Sequence, residues 1–300
     1  MEKSNVLFKG IMSALVTPID ADGNLMENAA RKLMDWHLRE GFSGFYICGG
    51  TGEGPVLQVK DRMRMAEIAK EHVGDRGHVI SHVGAVDLVS AVKLAEHAGK
   101  IGLDAISSVP PFFFHYGERE IKQYYSAISE ASGIPLLMYA SPLSGVNITW
   151  DMVDRLMDIP NMIGLKWTDY NYFTMHRIKE LRGGNINVIN GPDETLLCGL
   201  TMGADGGIGA TYNVMPKLFQ KIYTSYQDGQ MDIARATQYK ANKVIEILLQ
   251  YGVGVGIKDI LQMIGLDCGY TVYPSKRFTT EEQAAFRAAL KALRFEEEYL

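Results

Sequence analysis

The 300-residue sequence contains only three cysteines, and their placement excludes two kinds of site. Cys48, Cys198 and Cys268 are odd in number and far apart, so neither a disulfide framework nor a zinc-binding spacing can be assigned. We expect all three to be small buried hydrophobic side chains. Among the histidines only His78 and His82 are close in sequence, and four steps along a strand separate two side chains by roughly 13 Å. That distance is too long to share an ion, so we predict no metal site.

Basic tracts and long apolar runs are absent as well. The net charge is −5 and the Lys and Arg residues are scattered, which argues against a nucleic-acid partner. No stretch approaches the roughly 20 apolar residues of a membrane span, and residues 1–6 show no apolar leader pattern. The composition therefore predicts a cytoplasmic globular protein that contacts no membrane and whose partners are small molecules.

The chain does contain a regular alternation of short strand-like runs and longer amphipathic stretches. Apolar residues recur at three and four positions between the runs, which predicts helices at 27–39, 60–73, 88–101 and 118–131. Alternating strands and helices indicate a parallel sheet, and eight such units in about 250 residues have the size of a TIM barrel. The strand-like runs are 10–16, 44–48, 78–83, 105–109, 135–139, 163–166, 187–190 and 206–210.

After Tyr212 the pattern becomes purely helical, over 217–228, 232–250, 257–264 and 280–295. The predicted fold class is α/β, with residues 1–214 forming a (β/α)8 TIM barrel. Residues 215–300 are predicted to form a helical C-terminal extension packed on the barrel. The glycine-rich segment 252–256 is expected to separate helices and not to cradle phosphate. The alternative fold is a doubly wound open sheet with fewer strands.

Lys166 ends the apolar run 163–166, where an aliphatic residue would be expected. Burying an ammonium group is costly unless it is paired, so such a lysine tends to be neutral part of the time and nucleophilic. A neutral buried amine suits Schiff-base chemistry on a carbonyl compound. The alternative is a lysine that extends from the strand end into solvent.

Three further groups of polar residues follow strand-like runs, at the ends where barrel enzymes place their chemistry. The glycines of segment 49–54 let backbone N–H groups converge on an anion and the Thr51 hydroxyl adds a donor, unless the segment is only a tight turn. Tyr139 ends the fifth run, where its phenol either shuttles protons or merely caps the barrel. Asp193 and Glu194 stand at a predicted helix start, where carboxylates satisfy free N–H groups, bind sugar hydroxyls, or do one each.

The chain resembles the dihydrodipicolinate synthase and N-acetylneuraminate lyase family of class I aldolases in four motifs that occur in the family's order. The resemblance implies a homotetrameric barrel in which Lys166 forms a Schiff base with pyruvate or another 2-keto acid. It also implies that Tyr139 moves the proton and that the turn of Gly50 and Thr51 holds the carboxylate. No metal or organic cofactor is implied. The motifs are Gly49-Gly50-Thr51-Gly52-Glu53, Tyr139-x-x-Pro142, Gly164-Leu165-Lys166 and Gly203-Ala204-Asp205-Gly206-Gly207-Ile208-Gly209.

Within the family the chain is more similar to the sialic acid lyases than to the synthases. The synthases carry an arginine shortly after the tyrosine, whereas residues 139–150 contain none and read Leu143-Ser144-Gly145 at that place. The synthases also use a tyrosine in the segment aligned with 110–114, and Phe113 has no hydroxyl to relay a proton. We expect the aromatic residues of this segment to pack against a neighbouring subunit.

By the same resemblance, the polyhydroxyl part of the substrate is held by Thr168, Gly191, Asp193 and Glu194. Three positions depart from the lyase pattern. Gly50 and Ala210 stand where lyases usually have serines, and the Ala210 position is where that serine bonds the sugar chain. Trp167 is expected to add bulk beside the lysine. Each lost hydroxyl removes a hydrogen bond worth about 0.5–1.5 kcal/mol, enough to redirect specificity without changing the reaction.

The leading hypothesis from the sequence is therefore a Schiff-base aldolase that cleaves N-acetylneuraminate to N-acetylmannosamine and pyruvate. An alternative is an aldolase or dehydratase acting on another 2-keto-3-deoxy sugar acid. Less favoured is 4-hydroxy-tetrahydrodipicolinate synthase, and least favoured is a non-catalytic protein that binds a keto acid.

Overall fold

The computed structural model describes residues 4–300, apart from the side chain of Leu143. Residues 1–3, which belong to the segment analysed for a leader, therefore lie outside the described residues. The same holds for the side chain of Leu143 in the Leu143-Ser144-Gly145 motif. Within residues 4–300, eight parallel strands close into a barrel in chain order, and the last strand pairs with the first. This confirms the predicted TIM barrel and excludes the open sheet. The strands are β1 Gly10–Ala14, β2 Gly44–Ile47, β3 His78–His82, β4 Ala105–Ser108, β5 Leu136–Ala140, β6 Met162–Trp167, β7 Asn187–Asn190 and β8 Gly206–Gly209.

The α-helices cover the outside of the barrel, and polar side chains cap the N-termini of several of them. The carboxylate of Asp87 accepts the Ser90 N–H at the start of α3 (2.7 Å), and Thr149 and Asn171 act in the same way for α5 and α6. The predicted helices are all present, with ends shifted by a residue or so, except that α10 begins four residues earlier and α11 ends three residues earlier than predicted. The helices are α1 Glu27–Arg39, α2 Val59–Val73, α3 Leu88–Lys100, α4 Glu118–Ser132, α5 Trp150–Leu156, α6 Tyr172–Lys179, α7 Leu196–Thr201, α8 Pro216–Gln227, α9 Met231–Tyr251, α10 Val253–Met263, α11 Thr280–Ala292 and α12 Phe295–Glu298.

Two apolar cores result from the alternation of side chains along the strands. The larger core lies between the strands and the helices. The smaller core fills the barrel and takes at least one side chain from every strand, so the barrel is packed and its open face lies at the carboxyl ends of the strands. This inner core consists of Phe8, Met12, Ala14, Tyr46, Ile80, Ala105, Leu137, Ile163, Ile189 and Ile208, with Tyr139 packed against it.

The C-terminal region is helical as predicted, with one correction. Only Gly252 separates α9 from α10, and it has a positive φ of 118°. Residues 253–256 were expected to belong to the break, but they form the first turn of α10. Helix α8 packs beside β1 and against α9, and the division of the chain at residue 214 stays a prediction.

Two expectations from composition can be compared with the fold. Cys48 and Cys268 are buried, whereas Cys198 is exposed on α7, so the expectation for Cys198 was wrong. In residues 4–300 no helix has the length and apolar content needed to cross a membrane.

Candidate active site at the carboxyl ends of the strands

Lys166 points into the barrel because the alternation of β6 is interrupted just before it. The pairing of β5 with β6 shifts by one residue between Met162 and Gly164, so that Ile163 is the extra residue of a bulge. Gly164 has a φ of 154°, and a Cβ there would lie 2.0 Å from the carbonyl oxygen of Asn187. Ile163 faces the inner core while Leu165 belongs to the outer core, and Lys166 is thereby turned inward.

The Lys166 amino group lies between a hydroxyl and an aromatic face. The side chain is only 4% exposed, and Nζ donates a hydrogen bond to Thr168 Oγ1 at 2.8 Å. Nζ also lies 4.2 Å from the ring centroid of Tyr139, which pairs with Lys166 across the two strands. The lysine is therefore buried, and the alternative of a side chain extending into solvent is excluded.

Two aromatic side chains that the sequence analysis did not assign to the site fix the ring of Tyr139. The rings of Tyr46 and His82 each lie 6.0 Å from the Tyr139 ring, at interplanar angles of 82° and 86°. The Tyr46 hydroxyl donates to Ser107 Oγ at 3.0 Å, and burial raises its pKa. Burial lowers the pKa of His82 to about 3, with further lowering by nearby cations, so this ring is neutral. The sequence signal that could have identified Tyr46 and His82 is their position on the inward-facing side of strands β2 and β3.

The glycine-rich turn after β2 is shaped by close backbone approaches. The Glu53 N–H donates to the Gly50 carbonyl at 3.0 Å, and the Gly54 N–H donates to the Gly49 carbonyl at 3.0 Å. A Cβ on Gly54 would lie 1.7 Å from the Cys48 carbonyl oxygen, so only glycine fits there. Gly50 differs, because a Cβ at that position would meet no atom within 4 Å. The absence of a serine hydroxyl at Gly50 is therefore not imposed by packing.

Asp193 and Glu194, adjacent in sequence, point to different environments. Asp193 is buried, and its carboxylate accepts the backbone N–H of Ala210 (3.2 Å) and both the N–H (2.6 Å) and the hydroxyl (2.7 Å) of Thr211. Burial raises the pKa of Asp193 to about 6, although the Thr211 hydrogen bonds oppose the rise. Glu194 is half-buried and accepts the Tyr170 hydroxyl, and this bond raises the pKa of Tyr170 to about 12.

The two carboxylates therefore do not act at the start of their own helical segment. The short turn Asp193–Thr195 has no side-chain cap, and the N–H groups that Asp193 satisfies belong to the turn after β8. Asp193 links the ends of β7 and β8, and Glu194 is the carboxylate closer to solvent. Ala210 contributes its backbone N–H to this link, and its side chain is partly buried.

Thr168 and Gly191 join the ends of three strands. The Thr168 N–H donates to the Ala140 carbonyl of β5 at 2.8 Å, and the Gly191 N–H donates to the Trp167 carbonyl at 2.7 Å. A Cβ at Gly191 would lie 2.0 Å from Thr168 Oγ1, so glycine is required for this approach. The Thr168 hydroxyl that receives the Lys166 hydrogen bond is held at a fixed place as a result.

Trp167 does not crowd the lysine, contrary to the expectation from the sequence. Its side chain is 3% exposed and belongs to the outer core, on the opposite side of β6 from Lys166. There it lines a cavity of about 250 Å³ between the ends of β5 and β6 and the helices that follow, together with Trp150 and Asp169. Within residues 4–300 no group of three or more His, Cys, Asp or Glu side chains is placed to hold a metal ion.

Comparison with known proteins assigns the chain to a family. The model of the dihydrodipicolinate synthetase family matches residues 7–293. The chain is 34% identical to the N-acetylneuraminate lyase of Rhizobium meliloti (strain 1021) over 94% of both chains. It is 33% identical to the N-acetylneuraminate lyase of Pasteurella multocida (strain Pm70) over 95% of this chain and 97% of the relative. The catalytic lysine mutant of the Ruminococcus gnavus sialic acid aldolase superposes with a TM-score of 0.93 at 30% identity, covering 98% of each chain. The chain therefore belongs to the dihydrodipicolinate synthetase family and is a class I aldolase, a carbon–carbon lyase.

Proposed function

We propose that the protein cleaves N-acetylneuraminate to N-acetylmannosamine and pyruvate through a Schiff base on Lys166. The observation that carries the proposal is the setting of this lysine, buried between Thr168 Oγ1 and the face of Tyr139. No carboxylate of residues 4–300 forms an ion pair with the amino group, so loss of its proton exposes a nucleophile without breaking a buried ion pair. The sialic acid substrate of the similar lyases supports the choice of substrate.

In the proposed reaction the Lys166 amine attacks the C2 ketone, and loss of water gives an iminium ion. Tyr139 gives its phenol proton to the hydroxyl that leaves C2 as water, and the resulting phenolate takes the proton of the C4 hydroxyl as the C3–C4 bond breaks and the bonding electrons move into the iminium. N-acetylmannosamine leaves as the aldehyde, and the remaining enamine is protonated at C3. Hydrolysis then releases pyruvate and the free amine. The positive nitrogen makes the carbon leaving group tolerable, which is why an amine is required.

The other residues at the strand ends have proposed binding roles. The turn of Gly50 and Thr51 receives the carboxylate of the substrate. Thr168 and Gly191 line the side of the lysine, and Glu194 is better placed than Asp193 to bind hydroxyl groups, because three donors already occupy the Asp193 oxygens. We propose that Asp193 acts mainly by fixing the Ala210 segment, which faces the sugar chain.

The test is pyruvate release from N-acetylneuraminate, followed by coupled oxidation of NADH by lactate dehydrogenase. The wild-type protein is expected to release pyruvate and Lys166→Ala to release none, because no other group supplies the iminium. Retained turnover in Lys166→Ala would exclude the mechanism. Borohydride trapping of pyruvate on the wild type, located by peptide mass spectrometry, tests whether the Schiff base forms on Lys166, and an unchanged circular dichroism spectrum of Lys166→Ala separates loss of the Schiff base from misfolding.

A second candidate keeps the lysine but acts on another 2-keto-3-deoxy sugar acid, by cleavage or by loss of water. The missing hydroxyls at Gly50 and Ala210 favour it, whereas Trp167 gives it no support, because its side chain lies outside the barrel. Comparing product formation from several keto-deoxy acids distinguishes the two. A synthase role has less support, since Phe113 lacks the relay hydroxyl and residues 139–150 contain no arginine. Turnover of any keto acid would exclude a purely binding role.

We also propose that the active form is a homotetramer. Exposed apolar side chains in the loops after β3 and β4 and at the start of α3 support this, because large exposed apolar surfaces usually mark contacts between chains. They are Val86, Leu88, Val89, Phe113 and Phe114, of which Phe113 is 82% exposed in the single chain. Sedimentation equilibrium of the wild type and of Phe113→Ser tests it: a monomeric wild-type protein would refute the proposal. The cytoplasmic location stays a prediction from the sequence.

A further inference from the structure

A buried lysine of the C-terminal region reaches the turn proposed to bind the substrate carboxylate. Lys258 lies on α10, is 3% exposed, and has a partner for each of its three N–H donors. Nζ donates to the carbonyl of Thr17 at 2.9 Å, to the carbonyl of Tyr270, and to Glu53 Oε2 at 3.2 Å. Burial lowers the pKa of Lys258 and the Glu53 carboxylate opposes that change.

Glu53 connects this lysine to the turn. Its backbone has a left-handed φ of 54°, and its N–H closes the turn by donating to the Gly50 carbonyl at 3.0 Å. Its second carboxylate oxygen accepts the Val272 N–H at 2.9 Å, from the loop after α10. Thr17 holds the same turn from the other side, because its hydroxyl donates to the Gly52 carbonyl at 2.6 Å.

This arrangement adds tertiary contacts to a turn that its glycines already shape. A left-handed conformation is unfavourable for a glutamate, and a buried ammonium group is unfavourable without a charged partner. The ion pair compensates both costs, because the left-handed backbone of Glu53 brings its carboxylate to the buried ammonium group of Lys258. The contacts that hold Glu53, at the end of the turn of Gly50 and Thr51, therefore originate in α10 and in the loop after it.

We propose that Lys258 is a positioning residue that acts through Glu53 to hold the turn of Gly50 and Thr51 in the conformation that binds the keto-acid carboxylate. This inference rests on the proposed function, since it requires that turn to be the carboxylate site. It makes the C-terminal helices part of the active site without any of their side chains contacting the substrate.

The chain offers a matched control at the opposite end of the barrel. Lys179 donates to both oxygens of Asp205 (2.9 and 2.8 Å) and to the Ile186 carbonyl (2.9 Å), and Asp205 also accepts the Val188 N–H. Like Lys258, Lys179 thus pairs with a backbone carbonyl and with a carboxylate that also accepts a backbone N–H, but at the amino-terminal ends of β7 and β8. Lys179→Met and Lys258→Met each remove a partly or fully buried ion pair while keeping most of the length of the side chain.

The experiment measures the pyruvate concentration that gives half-maximal borohydride trapping on Lys166 in the wild type and in both variants. We expect Lys258→Met to raise this concentration about 10-fold or more, since correctly placed donors to a carboxylate are worth at least that factor. Trapping at saturating pyruvate should stay complete, because Lys166 is untouched. Lys179→Met should lower the melting temperature and leave the half-saturating concentration unchanged.

The double variant Lys258→Met, Glu53→Gln removes both charges and provides the measurement if the single variant does not fold. A half-saturating concentration equal to that of the wild type in a folded Lys258 variant overturns the inference, as does an equal rise in Lys179→Met. Failure of the wild type to trap pyruvate at all overturns the proposed function itself. The two failures are therefore distinguishable.

Discussion

Replacing Asp193 by asparagine should change how the stability of the protein depends on pH. Asp193 is 6% exposed, and burial raises its pKa from 3.8 to about 6 in the folded protein. A difference of about two pKa units corresponds to about 3 kcal/mol of free energy between the two protonation states. Because the folded pKa lies above the unfolded one, this stabilisation is fully present below pH 3.8 and is lost as the pH rises through about 6.

The assay is urea denaturation of the wild type and of Asp193→Asn at several pH values between 4 and 7.5. Asparagine does not titrate, so the difference in unfolding free energy between the two proteins should shift by about 2.5 kcal/mol across this range, against the wild type as the pH rises, since the unfolded carboxyl is already more than half ionised at pH 4. The constant offset between them reports the altered hydrogen bonds to Ala210 and Thr211. Subtraction cancels the titration of every other group that both proteins share.

Thr211→Val provides a directional control. It removes the hydroxyl that donates to Asp193 and keeps the backbone N–H, so the pKa of Asp193 should rise further and the pH dependence should move to higher pH. A free-energy difference between wild type and Asp193→Asn that stays constant from pH 4 to 7.5 would refute the reasoning. Asp193 would then ionise as it does in the unfolded chain.

Three further variants test the residues around Lys166. Tyr139→Phe should still form the trapped pyruvate adduct but lose about 10²–10⁴-fold in kcat, as expected for an acid–base group, and an unchanged kcat would assign the proton to another residue. Gly50→Ser should fold normally, because a Cβ there meets no atom within 4 Å. One added hydrogen bond should lower KM for N-acetylneuraminate about 2- to 10-fold, and a raised KM would count against the carboxylate role of the turn. Thr168→Val removes the acceptor of the 2.8 Å bond from Lys166 Nζ and should lower kcat/KM about 10-fold, whereas equal values would leave Thr168 without a role.

The fold could be predicted from the sequence because its signals are local and repeat eight times. Each strand-like run, such as 187–190, coincides with a strand to within one or two residues, and helix α1 begins and ends where the apolar periodicity does. The errors were local too. The exposed Cys198 lies on the outer side of a short helix, and the glycines at 254 and 256 did not prevent the first turn of α10, because only Gly252 takes a positive φ there.

From the sequence, the site could be predicted only as a set of polar residues that stand at the ends of strands. Lys166 and Tyr139 stand near the end of a strand and Asp193 follows one, and parallel strands bring such residues to one face. The contacts among the side chains of the site could not be predicted in this way. Tyr46 and His82 belong to no recognisable motif. The different environments of Asp193 and Glu194 depend on the turn after β8, where Ala210, 17 residues after Asp193, donates its N–H to the Asp193 carboxylate.

The sequence by itself determined the eightfold alternation, the strand end at which each polar residue stands, and the presence of a lysine in an apolar run. The tertiary structure decided which way these side chains point. Strict alternation from Ile163 would have placed Trp167 inside the barrel and Lys166 outside it. The bulge at Ile163 and Gly164, where β6 closely approaches Asn187, reverses that assignment. It depends on contacts between neighbouring strands, and a pattern read along one strand does not contain them.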